Sequence, residues 1–162
     1  MELQNFSAVL FVRDMETSRN FYSKILNLTV TLDLGKYVVF KGGLTLWEIS
    51  TDHPVMHPFA AGKSGDSSPN LELCFETWNL TEAYGRLKGK NVEFLHEIRE
   101  EPWGQFALRF FDPDRHLIEV GECMEQYVSR LHKEGMDIAR IAEKTGLPME
   151  VLQKLIVVYS SI

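Results

Sequence analysis

Three glutamates and one arginine are the residues whose types and spacing suit chemistry, and each lies in a run that reads as a β-strand. Glu48, in residues 44–49 (LTLWEI), shares a strand face with Leu44 and Leu46. Glu119, in residues 116–120 (HLIEV), shares a face with Leu117. In residues 71–77 (LELCFET), Glu72 lies with Cys74 and Glu76 on the face opposite Leu71, Leu73 and Phe75. A carboxylate on an otherwise apolar strand face is costly to bury unless it is paired or bound to a metal. Three such groups in one cavity raise one another's pKa, and a divalent cation removes that conflict. All-oxygen ligands favour hard ions such as Mg²⁺ or Mn²⁺. The competing solution is a basic side chain: Arg109, on a strand face with Gln105 and Ala107, would neutralise a glutamate directly. Trp103 would either line a cavity mouth or fill core between sheet and loop. Cys74 shares the Glu72 face, but nothing in the sequence sets a base beside it, so it is not read as a nucleophile.

These residues need elements to position them, and the chain repeats one order of elements twice. Residues 6–12 (FSAVLFV) read as a strand, Asp14 as a helix N-cap, and Met15, Phe21, Tyr22, Ile25 and Leu26 as one face of a helix. Strand candidates LTVTLDL, YVVF and LTLWEI follow, separated by glycine turns. A shift of 65 residues maps Ser7 onto Glu72, Asp14 onto Asn79 and Met15 onto Leu80. In the second copy Asn79 and Glu82 make a capping-box-like pair ahead of a helix. Strands NVEFLHE, FALRFF and HLIEV come next, the last two joined by the turn Asp112-Pro113-Asp114-Arg115, where Arg115 is expected to strain the backbone. Trp47 lies on the face opposite Glu48 and reads as core.

Residues 51–69 read as a connector, and their Gly62-Lys63-Ser64 is not a phosphate-binding loop, because His57 occupies the place of its first glycine. His53 and His57 are four apart, but Pro54 and Pro58 favour loop surface over a helical metal site. His96 and His116 are read as surface or core histidines. Beyond Gly121 the period becomes helical. One helix begins near Met124, a second covers residues 137–144, and a third starts near Pro148 with Val151, Leu152, Leu155 and Ile156 on one side.

The order βαβββ, twice, resembles the vicinal oxygen chelate superfamily, which includes glyoxalase I, bleomycin resistance proteins and extradiol dioxygenases. The resemblance rests on VRDMETSRNFYSKILNL in the first module and FALRFFDPDRHLIEVGE in the second, and covers residues 4–122. It implies an α+β fold of paired βαβββ modules forming a curved sheet around a concave site. The domain would span residues 1–122, with modules at about 4–50 and 70–122 and a helical C-terminal extension at 123–162. Family ligands come from the first and last strands of each module, and carried over they fall on Ser7, Glu48, Glu72 and Glu119. Ser7 departs from the usual His or Gln, and Glu72 stands where His is usual. The implied cofactor is one divalent ion per site, Mn, Mg, Ni or Zn, held by Glu48, Glu72 and Glu119, with Ser7 at an open position. The implied function is that of a lyase or isomerase of a small oxygenated metabolite. Glu72 and Glu119 are its candidate catalytic bases, as in the family's proton-transfer members, and Ser7, Trp103 and Arg109 its ligand-binding residues.

The alternative within the same fold is metal-free capture of a drug or other cationic ligand, in the manner of bleomycin resistance proteins. Composition narrows the partners. With 44% apolar residues the chain supports an ordinary core, and its net charge of −6 disfavours nucleic acid and anionic lipid. No apolar run approaches the roughly 20 residues of a bilayer span. The start MELQNFS lacks a basic n-region, and two cysteines make no disulfide framework, so a cytoplasmic protein is expected. The segment MDIARIAEKTGLPMEVLQKLI resembles a helix-turn-helix, which keeps DNA binding as a minor alternative. Residues 123–162, however, balance five basic side chains against five acidic ones. The apolar face of the last helix instead suggests a lid or a homodimer contact.

Overall fold

The computed structural model describes residues 7–50, 52–54 and 71–159. The reading of residues 55–69, with His57 and Gly62-Lys63-Ser64, falls outside them. The first module runs β1 (Ala8–Val12), α1 (Met15–Asn20) continuing as a π-helical turn (Phe21–Ile25), β2 (Val30–Asp33), β3 (Tyr37–Phe40) and β4 (Leu44–Glu48). The second runs β5 (Glu72–Thr77), α2 (Leu80–Lys88), β6 (Glu93–Glu100), β7 (Phe106–Phe111) and β8 (Leu117–Glu122). Three helices follow: α3 (Met124–Lys133), α4 (Ile138–Thr145) and α5 (Met149–Tyr159). The strands form two four-stranded sheets, ordered β1-β4-β3-β2 and β5-β8-β7-β6. In each, the first and last strands of the module pair in parallel. This is the mixed α+β architecture expected from the repeat. The chain divides into two compact units. One holds the first module and Phe111–His116; the other holds Glu72–Phe110 and the chain from Leu117 onward.

In the first unit, Leu10, Val12, Val38, Phe40 and Leu46 are buried along with Met15, Phe21 and Tyr22 of the helix. Register pairs Leu10 and Val38 with Leu46, so these side chains share the helix-facing side of the sheet. Asp14 caps α1 by accepting from the Thr17 amide at 2.7 Å. Asp14→Ala is expected to lower stability in urea unfolding, and Asp14→Asn to leave it near that of the parent. The expected single helix instead widens after Asn20, where Leu26 N–H bonds to the Phe21 carbonyl five residues back. Phe21 and Tyr22 are both buried in that wider turn.

Residues Phe111–His116 close on the same unit. The buried Asp112 carboxylate accepts from the Tyr22 hydroxyl at 2.8 Å and from the His116 and Asp114 amides at 2.7 and 2.9 Å. Asp114 accepts from Ser18 at 3.0 Å and from Arg13 at 2.7 Å. Arg115 sits at φ 71°, the strained left-handed conformation anticipated for the turn, with its guanidinium over Phe111.

In the second unit, α2 buries Leu80 and Leu87, and its Tyr84 packs edge-on against Phe94, which in turn meets Phe110. Asn79 caps α2 through the Glu82 amide at 3.0 Å. Asp137 caps α4, and Gly146 ends it at φ 70°, a conformation that favours glycine. The three C-terminal helices enclose their own core of Tyr127, Val128, Leu131, Ile141 and Leu152, with Leu155 and Ile156 packed against it. The apolar face of α5, read from sequence as free for a lid or dimer contact, is therefore largely covered by α3 and α4. Met149 and Val151 remain exposed.

Candidate functional site

Strand register decides which side of each sheet a candidate residue faces. In the first unit Val9 pairs with Thr45, and in the second Cys74 pairs with Glu119. The repeat maps Val9 onto Cys74, so the counterpart of Glu119 in the first module is Thr45. Ser7, the counterpart of Glu72, donates to the Gly43 carbonyl at 2.8 Å and lies 2.7 Å from the Thr45 hydroxyl. Two hydroxyls thus stand where the second module has two carboxylates.

Glu48 lies on the helix-facing side with Leu46. One carboxylate oxygen accepts from the Met15 amide at 2.8 Å, and the other meets Lys36 at 3.0 Å. The helix N-terminus and Lys36 hold its pKa below the ordinary carboxylate range. Glu48 is a second anion at the start of α1, on the sheet face opposite Ser7 and Thr45. Trp47, read as core, is corrected. It is half-buried on the opposite face, edge-on to Phe11 and His53, and in register with Phe11 and Tyr37.

In the second unit the polar face of β5 and β8 meets Arg109 of β7. The Arg109 guanidinium donates from Nε to Glu72 at 2.5 Å, from Nη1 to Glu101 at 2.8 Å, and from Nη2 to Glu119. Nη1 also lies 3.2 Å from His96 Nε2, while His96 Nδ1 lies 2.8 Å from the Glu97 carbonyl. Those two contacts fit a neutral imidazole with its proton on Nδ1. The cluster is well shielded: the Arg109 side chain is 13% exposed and that of Glu101 5%. Arg99 adds a second cation on Glu101 at 3.1 Å, so three carboxylates face two guanidinium groups.

The imbalance bears differently on Glu119 and Glu101. Burial pushes the Glu119 carboxyl up, reinforced by Glu72 and Glu101 and opposed by Arg109. Burial acts the same way on Glu101, but Arg99 and Arg109 override it and hold its pKa low. Burial, then Glu119 and Glu72, raises the Cys74 thiol, so Cys74 is held as a thiol and not as a nucleophilic thiolate.

Beside this cluster, on the same unit, lies a small open cleft of about 100 Å³ lined in part by Cys74, Glu76, Trp103, Phe106, Glu119 and Glu122. Trp103 is half-exposed and donates from its indole to Gln105 at 3.0 Å. The cleft thus offers aromatic surface and carboxylates together.

Among the described residues, no group of three or more His, Cys, Asp or Glu is arranged to hold a metal ion. Glu72 and Glu119 both point at a guanidinium, and Ser7 and Thr45 bond to each other. The donor set does not fit the metal implied by the resemblance. The structure does bring together Glu72, Glu119 and Arg109, with Trp103 on the neighbouring cleft. Glu101 and His96, which complete the cluster, carry no sequence signal beyond their positions at and just beyond β6.

The tandem βαβββ order, with the first and last strands of each module paired in parallel, defines the fold class. A family model described as a glyoxalase-like domain matches residues 6–125. The chain belongs to the glyoxalase-like family, within the vicinal oxygen chelate superfamily. Among solved structures it is similar to a protein of unknown function from Agrobacterium tumefaciens, at 30% identity and TM-score 0.63, covering 76% of this chain and 97% of that one. It is also similar to a lactoylglutathione lyase from Agrobacterium tumefaciens, at 22% identity and TM-score 0.53, covering 74% and 92%. A glyoxalase/bleomycin resistance protein/dioxygenase from Nocardioides is similar at 22% identity and TM-score 0.57, covering 75% and 85%. These last two likenesses show the fold alone. No curated protein matches the chain.

Proposed function

We propose that this protein is a metal-free binder of a small cationic, partly aromatic molecule, taken up in the cleft of the second unit. The observation that supports this reading is Arg109, whose guanidinium engages Glu72, Glu101 and Glu119 together and so supplies the positive charge that a divalent ion would otherwise bring. With a side chain already supplying the positive charge on this face, the remaining feature is a cleft lined by the half-exposed Trp103 and the carboxylates of Glu76 and Glu119. Aromatic rings and carboxylates together recognise cations. A ligand cation near Glu119 would also offset the burial, and the charges of Glu72 and Glu101, that push its carboxyl pKa up. Glu72 and Glu119 in this reading hold charge and position, and do not act as catalytic bases.

Among the described residues, no helix is long and apolar enough to cross a membrane. Both cysteines, Cys74 and Cys123, are free thiols, which suits a cytoplasmic setting. A homodimer remains part of the proposal, with the exposed Met149 and Val151 as its candidate contact.

The test is elemental analysis of untagged protein prepared without chelator, followed by calorimetric titration with ethidium as a cationic aromatic probe. Far less than one equivalent of metal, together with salt-sensitive ethidium binding, is expected. The exposed Glu76 should matter for charge alone. Glu76→Gln should weaken the probe roughly fivefold, the 1 kcal/mol scale of an exposed charge or cation–π contact. One equivalent of a transition metal, lost in Glu72→Ala and Glu119→Ala, would sink this reading in favour of a metal-dependent lyase or isomerase.

A further inference from the structure

The C-terminal helices lie beyond most of the matched family domain, yet they grip the residues that wall the cleft. The Tyr127 hydroxyl donates to the Trp103 carbonyl at 2.6 Å. Arg130 Nη2 donates to the Gly104 carbonyl at 2.8 Å and to Glu122 at 2.7 Å, and its guanidinium lies 4.4 Å from the centre of the Phe106 ring. Glu122 is almost fully buried, and the same oxygen that meets Arg130 accepts from the Phe106 amide at 2.9 Å. Taking Arg130 away would leave that carboxylate buried without its counter-charge, so the helix holds this part of the wall in place. Gly104 shows how close the approach is. It sits at φ 96°, and a Cβ there would come within 2.5 Å of the Tyr127 hydroxyl oxygen and 2.4 Å of the Lys144 side chain. Only glycine allows both the backbone conformation and the contact.

We propose that the helical extension is a working part of the ligand site, with Tyr127 and Arg130 as positioning residues that hold Trp103 and Glu122 as one wall of the cleft. A helix that only stabilised the fold would need neither a hydroxyl on the Trp103 carbonyl nor a guanidinium shared between Gly104 and Glu122. The proposal rests on the cleft being the ligand site, and its test has an arm that requires no ligand.

The chain has three tryptophans. In a Trp47→Phe, Trp78→Phe background, the emission of Trp103 reports its own exposure and mobility. Tyr127→Phe removes one hydroxyl and keeps the ring in the helical core; Arg130→Gln removes the charge, and Arg130→Lys keeps it. Iodide quenching of Trp103 is expected to rise about twofold in Tyr127→Phe and Arg130→Gln, with Arg130→Lys between them and the parent, as loss of a main-chain anchor frees the loop. Ethidium affinity should fall about tenfold in the same order. Should Arg130→Gln fail to fold, Tyr127→Phe decides alone. Unchanged quenching in folded Tyr127→Phe would overturn the positioning role whatever ethidium does. If ethidium fails to bind the parent while the quenching order holds, the positioning role stands and the cationic-ligand reading falls.

Discussion

Arg109→Ala should destabilise the protein by about 2–4 kcal/mol at pH 8, below the 3–5 kcal/mol typical of breaking a fully buried pair because this cluster keeps some solvent access. The side chains of Arg109, Glu72 and Glu119 are 13%, 26% and 15% exposed. The loss should follow pH in a definite direction. Without the guanidinium, Glu119, already held high by burial and its neighbours, rises further, and Glu101 loses one of the two cations that hold it low. A carboxyl whose folded-state pKa rises costs stability above that pKa and ceases to cost it once protonated. The penalty in Arg109→Ala should therefore be largest in mild alkali and shrink as pH falls through the carboxyl range. Urea unfolding of parent and variant from pH 8 to pH 5 measures it. The vacancy has the shape of its lost occupant. About 10 mM guanidinium, far below the molar concentrations that denature, should raise the stability of Arg109→Ala and leave the parent unmoved. A variant as stable as the parent at pH 8, or a penalty flat with pH, would refute the view that Arg109 is the cation of this face.

That view was half legible in the sequence. Alternation put Glu72 on the polar face of its strand, and Arg109 was readable as a neutraliser, because both inferences need only the two-residue period of a strand. The elements were legible for similar local reasons: Asp14 and Asn79 cap the two module helices. Glu48 was not legible, because the period gives two faces without saying which one the helix covers. The pairing of Val9 with Thr45 supplies that missing fact and hands the register-matched place to a threonine. Glu101 and His96 were hidden for another reason. They reach Arg109 across strands, and nothing local marks a glutamate at the end of an edge strand as a partner. The apolar stripe of α5 was plain, but a stripe does not name its partner, and here α3 and α4 of the same chain cover it.

Asp112→Ala should cost about 2–4 kcal/mol, for a reason independent of any ligand. Its carboxylate is fully buried, with side-chain exposure of 0%, and accepts from the Tyr22 hydroxyl, the His116 ring and the His116 and Asp114 amides. Hydrogen bonds to a charged acceptor contribute about 1.5–3 kcal/mol each, and donors left unpaired in the interior add their desolvation cost. Tyr22 is completely buried, so its hydroxyl has no water to turn to. Burial pushes the Asp112 carboxyl up, yet His116, Tyr22 and the backbone amide outweigh it and hold the pKa below its ordinary value. A carboxylate held low in the folded state adds stability above its unfolded pKa, and that stability is lost as pH falls through the folded value. Asp112→Ala should therefore be most damaging near neutrality and approach the parent in acid, once Asp112 is protonated in the folded state. Tyr22→Phe removes one donor and keeps the packing, so it should cost only about 1 kcal/mol. Because the two groups touch, the double variant should lose less than the sum of the single losses, by 0.5 kcal/mol or more. Additive losses would mean that the hydroxyl–carboxylate bond contributes nothing. The Asp-Pro-Asp turn and the Phe-Tyr pair would then be neighbours in the first unit without holding it together.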